Sequence, residues 1–393
     1  MMTGELAEEL SPALKLELVQ DATGLQGLRV SWTRLWNQAG APPFMSWPWM
    51  MGAWARLHKG RRPLIIVART AAGELVGVLP LSIEHAGSAR IARFLADETV
   101  GSDYLDALAA PPFEGPVKRA LWTEAVHLAG SRYDVLELRE MLEGCPSAQL
   151  LREQLATRGL DLEETPGFRC PYIAIRGTYE QHLAKVSRAD NLKRRKKQLE
   201  REEGFEISVA KTDEEIPTAL EAFLRLHALR WKSDGGSQGI TGPRVESFHR
   251  DVARRLAREE LVRIYTLKVK GQALASVYML GKGERRFFYQ SGYDPAFSKQ
   301  SPGLVLLART IEDAFVEGAR EYDFLHGSEP YKFEWATDER RTVTLRSVVP
   351  TLRGRAWSAG HLARATVRGW GQTLLGGEGY EALRRLRRRW ASA

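Results

Sequence analysis

Apolar residues recur along this chain with two periods, alternate positions in some stretches and every three to four in others. The switches between them spell a β-β-β-α-β order that occurs twice. In the first half, Leu64 to Arg69 and Glu74 to Leu81 read as strands around the turn Thr70-Ala71-Ala72-Gly73. Ile91 to Leu95 is a third strand, a helix spans roughly Glu114 to Leu128, and Tyr133 to Leu138 is a strand again. In the second half, Leu261 to Val269 and Ala273 to Leu280 form a hairpin at Lys270-Gly271, followed by Arg285 to Gly292, a helix, and the strand Tyr322 to Leu325. That helix has the plainest pattern: Leu304, Leu307, Ala308, Ile311, Phe315 and Gly318 share one face, and Arg309, Glu312, Asp313 and Glu317 take the other.

The period, roughly 190 residues, marks a duplicated domain and not a solenoid. Hairpins entering a sheet that a crossover helix completes give an α+β, mixed α/β architecture, with helices packed on the sheet. Between the copies, Tyr172 to Ile175 is a strand candidate and Tyr179 to Glu202 a helix. A second helix, from about Asp213 to Trp231, opens with Thr212 and Glu215 as a capping box. Asp234 to Gly239 has the composition of a lid or a plain linker. The domains so defined are 1–165, 166–350 and a basic tail, 351–393.

Charge changes the picture once it is located. The net +8 looks like a nucleic-acid signature, yet 351–393 holds nine Arg and two Glu, which leaves the body near neutrality. In the tail, Tyr380, Leu383, Leu386 and Trp390 share a helical face while Arg384, Arg385, Arg387, Arg388 and Arg389 cover the rest. Such a helix suits peripheral contact with an anionic membrane; a disordered or self-docked tail is the alternative. Lys193 to Lys197 form a second basic run, either a solvated helix face or a phosphate-attracting one. Without interleaved aromatics it argues against DNA. Five Trp between Trp32 and Trp54 serve as a ligand platform or as packing. Cys145 and Cys170 are too few for a disulfide framework, and no His/Cys/Asp set has metal-ligand spacing, so no metal is expected. Glu5, Glu8 and Glu9 stand where a signal peptide needs positive charge, and no apolar run approaches ~20 residues. The expected location is cytoplasmic, with the tail at the inner membrane face.

The copies differ at one place. Ser301 suits an N-cap and Pro302 the first turn, and Gly303 lets backbone come close, so this helix start offers N–H groups and a positive dipole end to a phosphate. The first copy has Pro111-Pro112-Phe113 there, and it lacks a counterpart of the cluster His326-Gly327-Ser328-Glu329-Pro330-Tyr331-Lys332. The second domain is therefore expected to hold the site and the first to shape it.

The ordered set resembles the GNAT acyltransferase superfamily: the strand, Ser301-Pro302-Gly303, the helix, then Tyr322-Asp323-Phe324, Gly327 and Glu329 to Lys332. More closely it is similar to CelD/BcsL-type acetyltransferases, relatives of the FemAB peptidyltransferases. Arg188, Lys193 to Lys197, Arg230-Trp231 and Tyr289 to Asp294 fit that pattern, as do Phe44, Ser46, Trp47, Trp49 and Ser102 to Asp106. The resemblance covers roughly Leu25 to Val348. It implies tandem GNAT-like domains whose second member binds acyl-CoA and acylates an amine or hydroxyl of a small-molecule or sugar-linked acceptor, in exopolysaccharide or cell-envelope pathways. One departure stands out: Lys299 to Leu304 carries a single Gly where the pyrophosphate loop of typical members has two small residues. FemAB relatives use aminoacyl-tRNA, and that donor stays open here, as does a non-catalytic GNAT module in a polysaccharide biosynthesis complex.

Direct acyl transfer needs a base for the attacking ammonium, a donor to the oxyanion and an acid for the departing thiolate. Glu329 is the first candidate base, with His326 and Asp323 behind it; Asp323 alternatively holds the turn at Gly327. Tyr331 matches the position of the general-acid tyrosine in many GNAT enzymes. Gln300, Ser301, Pro302, Gly303 and Leu304 would receive the CoA phosphates. Lys332 binds a phosphate or carboxylate or lies at the surface. Arg230 binds a phosphate or pairs a carboxylate, and Tyr289 lines the acceptor pocket or the core. Asp103 and Tyr104 complete the substrate-binding set implied by the resemblance.

Overall fold

One mixed sheet of 13 strands runs through the chain in the computed structural model, which describes residues 13–58, 60–97, 100–233, 240, 242–327 and 329–363. The first half contains β1 (Leu14–Val19), α1 (Ala22–Gly27), α2 (Arg29–Ala39), α3 (Trp47–Leu57), β2 (Arg62–Thr70), β3 (Leu75–Ala86) and β4 (Ala89–Phe94). It closes with β5 (Leu108–Ala109), α4 (Glu114–His127) and β6 (Val135–Leu142). Next come α5 (Pro146–Ala156), β7 (Glu163–Ala174), α6 (Tyr179–Leu183), α7 (Ala189–Leu199), β8 (Glu206–Ala210), α8 (Ile216–Ser233) and α9 (Pro243–Ala257). The second half has β9 (Val262–Val269), β10 (Gln272–Leu280), β11 (Arg285–Tyr293), α10 (Pro302–Val316), β12 (Glu321–Asp323), α11 (Pro330–Trp335) and β13 (Asp338–Val348). The repeated β-β-β-α-β order is present in both halves, as β2-β3-β4-α4-β6 and β9-β10-β11-α10-β12.

The sheet order is β1-β2-β3-β4-β6-β13-β7-β12-β11-β10-β9-β8, with β5 paired to β3. The two halves exchange strands. The strand after the second copy, β13, pairs with β6 of the first, while β7, which follows the first copy, pairs with β12 of the second. β13 and β7 pair with each other and so join the halves through backbone hydrogen bonds. The last strand's sequence, Asp338 to Val348, is charged at four of its first seven positions without clean alternation, and this strand was not anticipated. Neither were β1, β8, α5 and α9.

Two expectations are corrected. The helix read over Tyr179 to Glu202 is two helices, because Leu183, Val186, Leu192 and Leu199 cannot share a stripe on one continuous helix. Ser301 does not cap α10: it takes the left-handed conformation (φ 54°, ψ 47°), and its hydroxyl donates to Ser298 O at 3.5 Å instead. The capping box of Thr212 and Glu215 is formed, each side chain accepting from the other's N–H at 3.3 and 3.2 Å.

The Trp group packs. Trp32 and Trp49 are fully buried, and their indole N–H groups donate to Met45 O (3.0 Å) and Ser102 Oγ (2.9 Å). Cys145 and Cys170 are free thiols. Among the described residues no helix is long and apolar enough to cross a membrane. Residues 352–363 are helical; the rest of the basic tail and the loop 234–239 lie outside the described residues.

Candidate active site

β11 and β12 run parallel but pair only over Arg285–Phe287 with Glu321–Asp323. Beyond that point β11 continues to Tyr293 against β10, whereas the chain after β12 turns away, which opens a wedge in the sheet. Asp323 holds that turn: its Oδ1 accepts from Leu325 N at 2.6 Å and keeps Leu325 in the left-handed region at φ 56°. Of the two roles read from sequence, the structure therefore shows Asp323 in turn-holding geometry, at Leu325 and not at Gly327. Gly327 follows at φ 143°, and a Cβ there would collide with the Glu329 carboxylate and the Lys332 ammonium.

α11 starts at Pro330 and places three candidates on the wedge. Lys332 is 5% exposed; its Nζ donates to His326 O at 2.8 Å and pairs with Glu329 Oε2 at 3.2 Å. It is thus a buried clasp and not a surface lysine. Tyr331 meets Arg230 and Ser291, and burial pushes its hydroxyl up to about 12, helped by the charge of Glu329. Arg230 reaches this point because α8 lies tight on β11: at Gly292 a Cβ would collide with the backbone of Leu226 and His227. One turn later its guanidinium donates to Ser291 Oγ at 2.8 Å and stands over the Tyr293 ring at 5.6 Å.

The first half supplies the other wall. His326 Nδ1 meets Asp103 Oδ1 at 2.6 Å, and the Asp103 carboxylate raises the imidazole to about 9, against a smaller opposing effect of burial. At neutral pH this His326 carries a proton, so it is a poor base. Its ring stacks on Phe168 at 5.0 Å. Tyr104 OH donates to Asp323 Oδ1 at 3.1 Å. Burial pushes the Asp323 carboxyl up to about 7, and Arg340, at 3.7 Å, pulls the other way. Arg340 also pairs with Glu321 at 2.6 Å and covers the Tyr172 ring at 4.0 Å.

Two side chains of this wall, Glu140 and Arg340, and the Ser291 hydroxyl were missed from sequence. Glu140 stands in Arg139-Glu140-Met141-Leu142, where a buried residue with φ 59° breaks the strand pattern; Arg340 falls in the unanticipated β13. Tyr289 stands apart from the other candidates. Its ring lies among Phe44, Trp49, His249 and Tyr278, and its hydroxyl donates to Val100 O at 2.9 Å, a core position between the halves.

At the helix start, Leu304 N and Val305 N both donate to Ser301 O, at 3.1 and 3.3 Å, so the turn itself uses them. Gly303 is not demanded by space, since a Cβ would meet Tyr293 at an ordinary 3.7 Å. Gln300 Oε1 is buried there without a hydrogen-bond donor among the described residues. α7 packs on α10 and on the turn Pro295–Gln300, with Lys193, Arg194, Lys196 and Lys197 exposed.

Residues 186–333 match the family model described as an acetyltransferase (GNAT) domain. No curated protein matches the chain in sequence. Among solved structures, FemX is similar at a TM-score of 0.60 and 10% identity, over 87% of this chain and 99% of that one. L-PGS from Bacillus licheniformis has a TM-score of 0.53 at 10% identity, over 88% and 97%. The C-terminal domain of a proposed lysylphosphatidylglycerol synthetase from Agrobacterium fabrum has 0.52 at 10%, over 87% and 96%. At such identity the likeness speaks for the fold. The chain has a GNAT-like fold, and its match to the acetyltransferase (GNAT) domain model spans residues 186–333.

Proposed function

We propose that this chain is an acyltransferase that moves an acyl group from acyl-CoA to an amine or hydroxyl of a cell-envelope or exopolysaccharide precursor, in the manner of CelD/BcsL-type acetyltransferases. The observation that carries this reading is the wedge between β11 and β12 with Tyr331 beside it. Among the described residues the edge of β11 past Phe287 has no strand partner on the β12 side, so its backbone groups suit an extended, amide-bearing arm. The Gln300 amide and the exposed cations of α7 stand at the α10 end of that wedge, where phosphates would be held.

Glu329, with its carboxylate against Lys332, takes the proton of the attacking ammonium. Tyr331, fully protonated near neutral pH, gives its proton to the leaving thiolate. Arg230 keeps positive charge beside the tyrosine oxygen and favours its ionisation at that moment. Asp323 and Lys332 fix the loop that presents Glu329 and Tyr331.

A second reading keeps the chemistry and changes the donor to aminoacyl-tRNA. The basic face of α7 beside the wedge favours it, as does the fold likeness to FemX and L-PGS. Isothermal titration with acetyl-CoA and with aminoacyl-tRNA separates the two. Heat with acetyl-CoA that Tyr331→Phe preserves, together with lost turnover, supports the first; heat with tRNA alone moves the assignment to the second; heat with neither removes both.

A further inference from the structure

Three segments far apart in the sequence bring Asp103, Glu140 and His326 together, with one ligand-capable atom of each within 4.8 Å of the others. Asp103 and Glu140 are buried, 1% and 6% exposed, while the His326 side chain is 36% exposed. Asp103 uses Oδ1 on His326 Nδ1, and its Oδ2 is buried with no hydrogen-bond donor among the described residues. A buried carboxylate oxygen without a hydrogen-bond donor is unfavourable, so this one points to a further partner.

The nearby cations do not supply it. Lys332 is committed to His326 O and Glu329, and Arg340 to Glu321 and Asp323. A divalent ion held here would take the two carboxylates and the imidazole as ligands, and the two carboxylates match its charge. Ligand atoms around such an ion stand roughly 3–3.5 Å apart, so side-chain shifts of about 1 Å close the set.

Outer contacts already fix the ligands. Leu105 N donates to the backbone carbonyl of Glu140 at 3.0 Å and ties the segments that carry Asp103 and Glu140, and Phe168 stacks on the His326 ring. The partly exposed imidazole leaves a route for the ion and open positions for water. One imidazole with two carboxylates suits borderline first-row ions better than a site of oxygen ligands alone.

We propose that Asp103, Glu140 and His326 form a binding site for a divalent first-row transition ion of the Zn2+ or Mn2+ class, at the seam between the two halves. No sequence spacing announces it, because each ligand comes from a different segment. The site stands whether or not the transferase reading does.

The full chain, stripped with a chelator, is titrated calorimetrically with Zn2+ and separately with Mn2+, and Mg2+ serves as the reference. The expected result is one ion per chain for Zn2+ or Mn2+, at least tenfold tighter than Mg2+, and weakened at least tenfold by Glu140→Gln and by His326→Gln. His326→Gln alters a partly exposed side chain, so it keeps the test valid if Glu140→Gln does not fold. Absence of stoichiometric uptake by the wild-type chain overturns the proposal, and so does uptake that the folded variants leave unchanged.

Discussion

The hydroxyl of Tyr104 donates to Asp323 Oδ1 at 3.1 Å across 219 positions of sequence, and it ties the first half to the turn that opens the wedge. Asp323 is fully buried, and its carboxyl is pushed up to about 7 from an ordinary value near 4. The unfolded chain therefore loses this proton before the folded one does, and stability from this group falls as pH rises from about 4 to 7. Tyr104→Phe removes one donor to the ionised form. A loss of about 1–3 kcal/mol is expected at pH 8, and less at pH 5 where the folded carboxyl is protonated. Urea unfolding at the two pH values measures both.

Tyr331→Phe keeps the ring against Phe288, at 6.4 Å between centroids, and removes only the hydroxyl. If the hydroxyl is the acid, kcat falls by roughly 10²–10⁴ while donor affinity is nearly unchanged. Stability drops by about 1 kcal/mol, the worth of the contacts with Arg230 and Ser291. A turnover assay beside a thermal melt checks it. A drop in kcat no larger than the fraction unfolded would assign Tyr331 to structure.

Glu329→Gln takes the ion-pair partner from a buried ammonium. Lys332 keeps its bond to His326 O, so the loop holds, but about 1–3 kcal/mol is lost. Glu329→Gln with Lys332→Met, an apolar replacement of similar length, should recover much of that stability without recovering turnover. Melting curves and rates on the single and double variants separate the carboxylate's chemistry from its structural pairing.

Much of this arrangement is legible in the sequence. The alternation in Leu64 to Leu81 and Leu261 to Leu280, and the 3.6 period after Leu304, located both hairpins and the crossover helix, because each buries one clear face. The turn before Glu329 was equally visible through Gly327 and Pro330. What escaped has a common cause. β13 is rich in charge because Arg340 and Arg346 are spent on partners across the seam, Glu321 and Glu137, so its pattern does not read as a half-buried strand. Asp103 and Glu140 meet His326 only through the exchange of β7 and β13, which no local signal encodes.

Gly292 tests how closely α8 must lie on β11. A methyl group there would collide with Leu226 and His227 backbone, and neither helix nor central strand has an easy way to shift. Gly292→Ala should cost on the order of 2–3 kcal/mol and draw Arg230 away from Ser291. Gly303→Ala is the control: its Cβ finds ordinary contact with Tyr293, and a Gly to Ala change in a helix's first turn is near neutral or slightly stabilising. Parallel thermal melts compare them, and equal melting temperatures would show that the close approach is not needed.

His249 gives the sharpest acid sensitivity. It is fully buried among Trp49, Phe248, Tyr278 and Tyr289, and neither ring nitrogen has a hydrogen-bond partner among the described residues. Burial lowers its pKa to about 3, and it lowers that of His227 to about 4. Above about pH 6.5 both states leave these rings neutral and pH has no effect through them. Below it the unfolded chain binds protons that the folded chain refuses, so stability falls with pH until the folded values are reached. For His249 alone the loss by pH 4 is roughly 3 kcal/mol. His249→Phe fits an aromatic surround and removes the titration. Its stability relative to wild type should therefore rise steadily between pH 7 and 4, as measured by urea midpoints across that range. A constant difference at all pH values would mean that His249 is protonated in the fold at no cost, and that the acid response belongs to other groups.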